Sequence, residues 1–363
     1  MPELPNLFRF ASRELHQDAF LAWLISWASP AYARFDDRLH LSAKSVVEAL
    51  LAGHSTLRGV TVGEVDSVQT QTKNIDVFAR VTLSSGRKLA VVIENKTTSG
   101  RHDNQLARYR AWVEARHPEC EFVGIYCKTG WLDASDRQLP PGYVLVDREA
   151  LLRALREHEC KHPIYQEYLA YLAQVDERYR SNISDLATPD RMGYALSHAH
   201  VQWHLMESLF GEISPGWLYH GTNQGGAPWT QFGFHQMALP SGANETLFWR
   251  LDQRKPRRGG PVMPYLAVRQ HQHFDRRDEA QKGAKLERLE RYRNAWRDTF
   301  GADELRRMPL VASKPVADHQ GKFESEVGVF FMGPGHCSLQ DIRQWLPRFH
   351  AELEARIRLV AAS

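Results

Sequence analysis

The sequence predicts a two-domain chain, with an α/β first half and an α+β second half. Three observations carry that prediction. Residues 75–96 hold two β-rich apolar runs joined by a short Gly-containing segment, and helical patterns flank them. Beyond residue 190 the pattern changes to a series of strand candidates among long helical segments. The length of 363 residues suits two domains, and 43% hydrophobic with 25% charged residues is ordinary globular composition.

Glu14 to Trp27 reads as an amphipathic helix with Leu15, Ala19, Phe20, Trp23, Leu24 and Trp27 as its apolar stripe. The runs Ile75–Ala79 and Ala90–Lys96, with Ser84-Ser85-Gly86-Arg87 between them, read as a hairpin. With the turn centred near Ser85, Asp76 falls opposite Glu94, and cross-strand Cβ atoms lie about 5 Å apart. Glu94 and Lys96 share a strand face because side chains alternate. Three charges at the end of apolar strands are costly unless they bind something. Hard carboxylate oxygens suit Mg²⁺ or Mn²⁺, so Asp76, Glu94 and the backbone carbonyl of Asn95 form a candidate partial shell. Lys96 stands ready to offset the charge that develops on a phosphodiester under attack. The structural alternative is an ion pair at a sheet edge.

Asn104 to Val113 has helical spacing, with caps available in Ser99 to Asp103, and Gln105 and Tyr109 share one helix face. The order Asp76, then Glu94-Asn95-Lys96, then Gln105-Leu106-x-x-Tyr109 resembles the PD-(D/E)XK nuclease superfamily, in its branch with a Gln-x-x-x-Tyr helix. The resemblance implies a restriction-endonuclease-like α-β-β-β-α-β core around a mixed sheet and cleavage of DNA with Mg²⁺ or Mn²⁺. It also implies roles: Asp76 and Glu94 as metal ligands, Lys96 as the catalytic lysine, and Gln105 and Tyr109 either as groups that support the ligands from behind or as groups that position substrate. Glu14, with His16 behind it, is the matching candidate for an additional acidic ligand on the first helix; a glutamate favouring the helix N-terminus is the alternative. One departure is that Asn74-Ile75 stands where the family carries a proline before the aspartate. The motifs span Asp76 to Tyr109, and compatible elements extend the resemblance to about the first 180 residues.

Glu121–Cys127 and Tyr143–Val146 follow as strands, Asp147 as the cap of a helix over Arg148–His158, and Ile164–Arg180 as a further helix. The polar stretch Ser181 to Asp190 reads as the linker, giving domains at 1–183 and 191–363. The second domain opens with a helix near Met192–Phe210. Strand candidates follow at Gly216–His220, Thr230–Leu239, Thr246–Leu251, Val262–Arg269 and Glu324–Met332, with helices over Asp275–Phe300 and Leu339–Val360. Together these suggest an antiparallel sheet with packed helices. The basic loop Arg254, Lys255, Arg257 and Arg258 is a candidate phosphate grip. His200 with His204, and His271 with His273, lack the accompanying ligands a metal site needs. On the helix near Lys285–Arg293, acids are interspersed among the bases, which favours a salt-bridged solvent face over a DNA stripe.

Other features narrow the setting. The longest apolar run, Ala19 to Ile25, is far short of the ~20 residues of a membrane span. Met1-Pro2-Glu3-Leu4-Pro5 lacks a signal-peptide pattern, and Cys120, Cys127, Cys160 and Cys337 show no paired spacing, so a reduced cytoplasm is expected. A net charge of +3 leaves nucleic-acid binding to local patches. The sequence thus predicts a metal-dependent nuclease acting on DNA, with RNA the second substrate class and roles in antiviral defence, restriction or repair. Residues 191–363 are left for substrate binding, homo-oligomer assembly, or a regulatory partner or ligand. The rival reading is a non-catalytic or ligand-gated nucleic-acid-binding protein that uses the second domain for recognition.

Overall fold

A computed structural model describes residues 6–10, 14–97, 100, 104–213, 216–254, 263–299, 315–332 and 338–362. The chain divides into two compact units, Met1–Arg178 and Tyr179–Ser363. The first unit opens with helices α1 (Leu7–Phe10), α2 (Glu14–Trp27) and α3 (Asp37–Leu51). Strands β1 (Val62–Thr72), β2 (Ile75–Leu83) and β3 (Lys88–Lys96) follow, then α4 (Gln105–Arg116) and β4 (Glu121–Lys128). After these come α5 (Ala134–Arg137), β5 (Tyr143–Asp147), α6 (Arg148–Glu157) and α7 (Pro163–Ser184).

The sheet order is β1-β2-β3-β4-β5, antiparallel through β3 and parallel from β3 to β5. It is the mixed sheet of the expected α-β-β-β-α-β order, with α3 inserted between α2 and β1. Strand β3 is apolar on both sides. Val91 and Ile93 join the core under α2 and α3, while Ala90 and Val92 join Leu106, Tyr109 and Val113 of α4. A strand covered on both faces reads as a continuous apolar run, as Leu89 to Ile93 does.

The hairpin register follows the expected centre. Val81 pairs with Leu89 and Val77 with Ile93, and Gly86 turns the chain at φ 85°. Where the family's proline is missing, the β1–β2 connection is a two-residue loop. Thr72 pairs with Ile75, and Lys73 and Asn74 take φ 55° and 65°. Such primed turns need positive φ at both central residues, and asparagine tolerates it well.

Two expectations shift. The apolar stripe of α2 turns to bury Gln17, Asp18, Phe20, Leu21, Leu24 and Ile25, leaving Leu15 59% exposed. Apolarity alone chose Leu15; the buried polar pair has partners, described below, that spacing does not reveal. The polar stretch expected as a linker is helical, with α7 reaching Ser184, a 3₁₀ turn over Asp185–Ala187 and α8 starting at Pro189.

In the second unit α8 (Pro189–Ala195) and α9 (Ala199–Phe210) replace the single expected helix. Strands β6 (Trp217–Thr222), β7 (Pro228–Ala238), β8 (Asn244–Arg254), β9 (Met263–Gln272) and β10 (Glu324–Phe331) form an all-antiparallel sheet in the order β10-β9-β8-β7-β6. Helices α9, α10 (Glu279–Thr299) and α11 (Leu339–Ala362) share a core with its Phe232, Trp249, Leu251, Val268 and Phe330. The expected salt-bridged face of α10 is present where Arg291 pairs with Glu287 and Arg297 with Glu290, but Lys285, Arg288 and Arg293 turn inward. Lys285 Nζ donates to Ser325 Oγ at 2.5 Å, Arg293 donates to the Glu326 carbonyl, and Arg288 pairs with buried Glu245. Glu245 also accepts from Gln270 Nε2 at 2.6 Å and from the Tyr292 hydroxyl at 2.7 Å.

Candidate active site

Extending the β2–β3 register by one residue past Val77 and Ile93 brings Asp76 opposite Glu94, on the face that α4 covers. Glu94 is fully buried, with Lys96 Nζ 2.5 Å from Oε1 and, among the described residues, no hydrogen-bond donor on Oε2. Burial first, and then the Asp76 carboxylate, push the Glu94 pKa up to about 7. Asp76 is half-buried; Oδ2 accepts from the Asn95 backbone N–H at 2.8 Å. Burial draws the Lys96 pKa down, but Glu94, Asp76 and Glu14 outweigh it, so the net shift is upward. Lys96 is therefore an ammonium at neutral pH.

Helix α4 brings in the other motif residues. Gln105 Nε2 donates to the Tyr109 hydroxyl at 2.5 Å, and that hydroxyl donates to the Asn74 carbonyl. Tyr109 thus ties α4 to the turn that delivers Asp76, and its own pKa is raised by burial and by the nearby Glu94 and Asp76. Of the expected caps, residues 99 and 101–103 lie outside the described residues, and Asn104 occupies the cap position without a side-chain bond.

Helix α2 approaches from the other side of the sheet. Glu14 Oε1 accepts from the Thr97 N–H at 2.9 Å and from its hydroxyl at 3.2 Å, fixing the chain just past Lys96. His16 is packed between Phe8 and Tyr171. The Asn95 side chain, which alternation turns toward α2, donates to Asp18 Oδ1 at 2.7 Å and accepts from Gln17 Nε2. Gln17 Oε1 in turn accepts from Thr129 Oγ1 at 2.8 Å. Gln71 Nε2 bridges Asp18 Oδ2 at 3.2 Å and Asp76 Oδ1 at 3.3 Å. Burial and the charge of Asp76 raise the Asp18 pKa to about 6.

Gln17, Asp18, Gln71 and the Asn95 side chain are the site residues that sequence reasoning missed. Their one local signal was that Gln17 and Asp18 stand at helical spacing from the apolar Phe20, Leu21, Leu24 and Ile25. A second buried pair lies one strand over. Lys128, in register with Lys96, contacts Asp136 at 3.3 Å, and Asp136 also accepts from the Tyr126 hydroxyl at 2.6 Å.

The donor set suits a hard divalent cation. Two adjacent carboxylates, one with an orphaned buried oxygen, make the partial oxygen shell that Mg²⁺ takes while keeping several waters. Among the described residues no group of three or more His, Cys, Asp or Glu is arranged to hold a metal ion, so further ligands would be backbone, water or substrate oxygens. His200 packs on Tyr179, His204 is exposed, and the His271 and His273 rings meet edge to face. Of the basic loop, Lys255, Arg257 and Arg258 lie outside the described residues, as does the Arg254 side chain. Among the described residues no helix is long and apolar enough to cross a membrane.

A family model described as the PD-(D/E)XK nuclease superfamily matches residues 6–188. No curated protein and no solved structure matches the chain.

Proposed function

Since the chain belongs to the PD-(D/E)XK nuclease superfamily and has its fold, we propose that it is a metal-dependent nuclease that hydrolyses phosphodiester bonds of DNA. The observation that carries this reading is the buried Glu94 carboxylate with an unpartnered oxygen between Asp76 and Lys96. A charge so placed is unfavourable for folding and fits a site built for a cation.

In this reading Asp76, Glu94 and the Asn95 carbonyl would hold Mg²⁺ or Mn²⁺, which when bound would supply an acidified water and neutralise phosphate charge. Lys96, held protonated by its acidic neighbours, stabilises the negative charge that builds on the phosphorus oxygens during in-line attack. An ammonium with a raised pKa is a poor base, so its role is electrostatic. Tyr109 and Gln105 fix the turn ahead of Asp76, and Glu14 fixes Thr97 just past Lys96. The nuclease domain is residues 1–183, and residues 191–363 serve recognition, assembly or regulation. A cytoplasmic role in antiviral defence, restriction or repair rests only on the company such domains keep.

The test is incubation of supercoiled DNA, linear DNA and single-stranded RNA with the full chain and Mg²⁺ or Mn²⁺. DNA cleavage that chelator abolishes and that Asp76→Ala and Lys96→Ala each reduce at least about 100-fold is expected. Cleavage that survives either substitution would sink the mechanism.

A further inference from the structure

Gln71 differs from every other side chain at the site. Its φ of 56° is left-handed although it lies within β1, outside the two-residue loop at Lys73-Asn74. That conformation is disfavoured for any residue with a Cβ, and glycine would hold it without strain. What glutamine adds is the amide. The register from Thr70–Val77 to Thr72–Ile75 puts Gln71 opposite Asp76. From there its Nε2 donates to Asp76 Oδ1 at 3.3 Å and to Asp18 Oδ2 at 3.2 Å, carboxylates from two different elements. Both bonds are long beside the ~2.8 Å of a strong charge-assisted bond. Asp18, Glu94, Asn95 and Lys96 are buried, whereas Gln71 is exposed, so the amide covers the acids from the solvent side.

A neutral donor between two carboxylates occupies the position a cation would favour, and does so weakly. We propose that Gln71 is a positioning residue that substitutes for a cation. Its amide ties Asp18 to Asp76 in the metal-free protein and yields to a divalent ion, so Gln71 sets the ion affinity of the site. The proposal rests on the metal-dependent nuclease reading and adds a residue outside the motif to it. Removing the amide relieves the ion of a competitor, while a fixed charge in its place makes the competitor stronger. Loss of two modest hydrogen bonds corresponds to roughly a fivefold to tenfold change in affinity.

The experiment is isothermal titration of Mn²⁺ into the full chain, without substrate, for wild type, Gln71→Gly, Gln71→Lys and Asp76→Ala. Glycine keeps the left-handed backbone, and circular dichroism with thermal melts in chelator checks folding. Gln71→Gly should bind Mn²⁺ about fivefold to tenfold more tightly and melt lower in chelator. Gln71→Lys should bind it at least about tenfold more weakly and melt no lower than wild type. A purely structural Gln71, or one that ligates the ion through its carbonyl oxygen, gives weaker binding in Gln71→Gly, and that result overturns the proposal. Unchanged affinity in Gln71→Gly overturns it too. With either result, wild-type binding that Asp76→Ala abolishes leaves the nuclease reading intact. A wild-type chain that binds no Mn²⁺ removes both. Should Gln71→Gly fail to fold, Gln71→Lys decides alone, and Mn²⁺ affinity equal to wild type overturns the proposal.

Discussion

Each unit buries a glutamate on a β-strand, and the two are treated in opposite ways. Glu245 is 1% exposed and accepts from Gln270, Arg288 and Tyr292. Glu94 is 0% exposed, pairs with Lys96 and no other cation among the described residues, and faces the Asp76 carboxylate. The first is buried architecture: its lone pairs are met and its removal strands the donors. The second leaves an acceptor unmet in a setting that opposes ionisation. Burial of an acid therefore says little about function until its donors are counted.

The widest test of that contrast is to remove the charge from both residues. Glu94→Gln should lower DNA cleavage at least about 100-fold, while the metal-free chain at pH 8 is no less stable than wild type. The sign follows from the raised pKa. Near pH 5–6 the folded state holds the Glu94 proton that the unfolded chain releases, so stability falls as pH rises toward about 7. Glutamine removes that loss. Glu245→Ala should instead cost about 3 kcal/mol in urea unfolding, because Arg288 and Tyr292 lose their acceptor. Equal destabilisation by the two changes would break the comparison.

The two buried lysines sharpen it at a smaller scale. Lys96 is kept charged by three acids, whereas burial drives Lys285 down to about 8, with Glu245 and Glu324 only partly opposing it. Between about pH 8 and 10.5 the unfolded chain keeps a proton on this lysine that the folded chain has lost. Folding stability should therefore rise with pH across that window, by on the order of 2 kcal/mol, and Lys285→Met should flatten the rise. Urea midpoints at pH 7.5, 8.5 and 9.5 read the difference. A flat wild-type profile would show that the protonated amine is tolerated on α10.

The same contrast explains what the sequence could reveal. The hairpin was legible because its signals are local: two apolar runs, a Gly-containing turn and charges a fixed distance from its centre. Asp76, Glu94 and Lys96 come together through register alone, and Gln105 and Tyr109 through the helical repeat. The Asp18–Asn95 bond spans 77 residues and Gln17–Thr129 spans 112, and neither leaves a periodic trace. The half-buried, polar sequence of β1 carries no clean alternation, whereas α3 has a local signal in its capping Asp36 and its stripe Leu39, Ala43, Val46, Val47 and Leu50. In the second unit each strand was found near its place, yet the inward turn of Lys285, Arg288 and Arg293 was not. Interspersed charges look alike whether they face water or a buried acid.

The smallest expected effect concerns the tie between helix and turn. Tyr109→Phe keeps the ring among Leu106, Val113 and Val92 and deletes only the hydroxyl that meets Asn74 and Gln105. Two polar groups lose one partner, which costs about 1 kcal/mol of stability. Asn74 is two residues from Asp76, and its φ of 65° depends on that anchored turn. Loosening it should blur the placement of Asp76 without removing a ligand. Cleavage should thus fall about fivefold to tenfold in kcat, with Mn²⁺ affinity within about twofold of wild type. Glu94→Gln, by contrast, should weaken Mn²⁺ binding and cleavage together. If Tyr109→Phe also abolishes Mn²⁺ binding, the hydroxyl helps hold the ion, and the division between residues that bind it and residues that aim them must be redrawn.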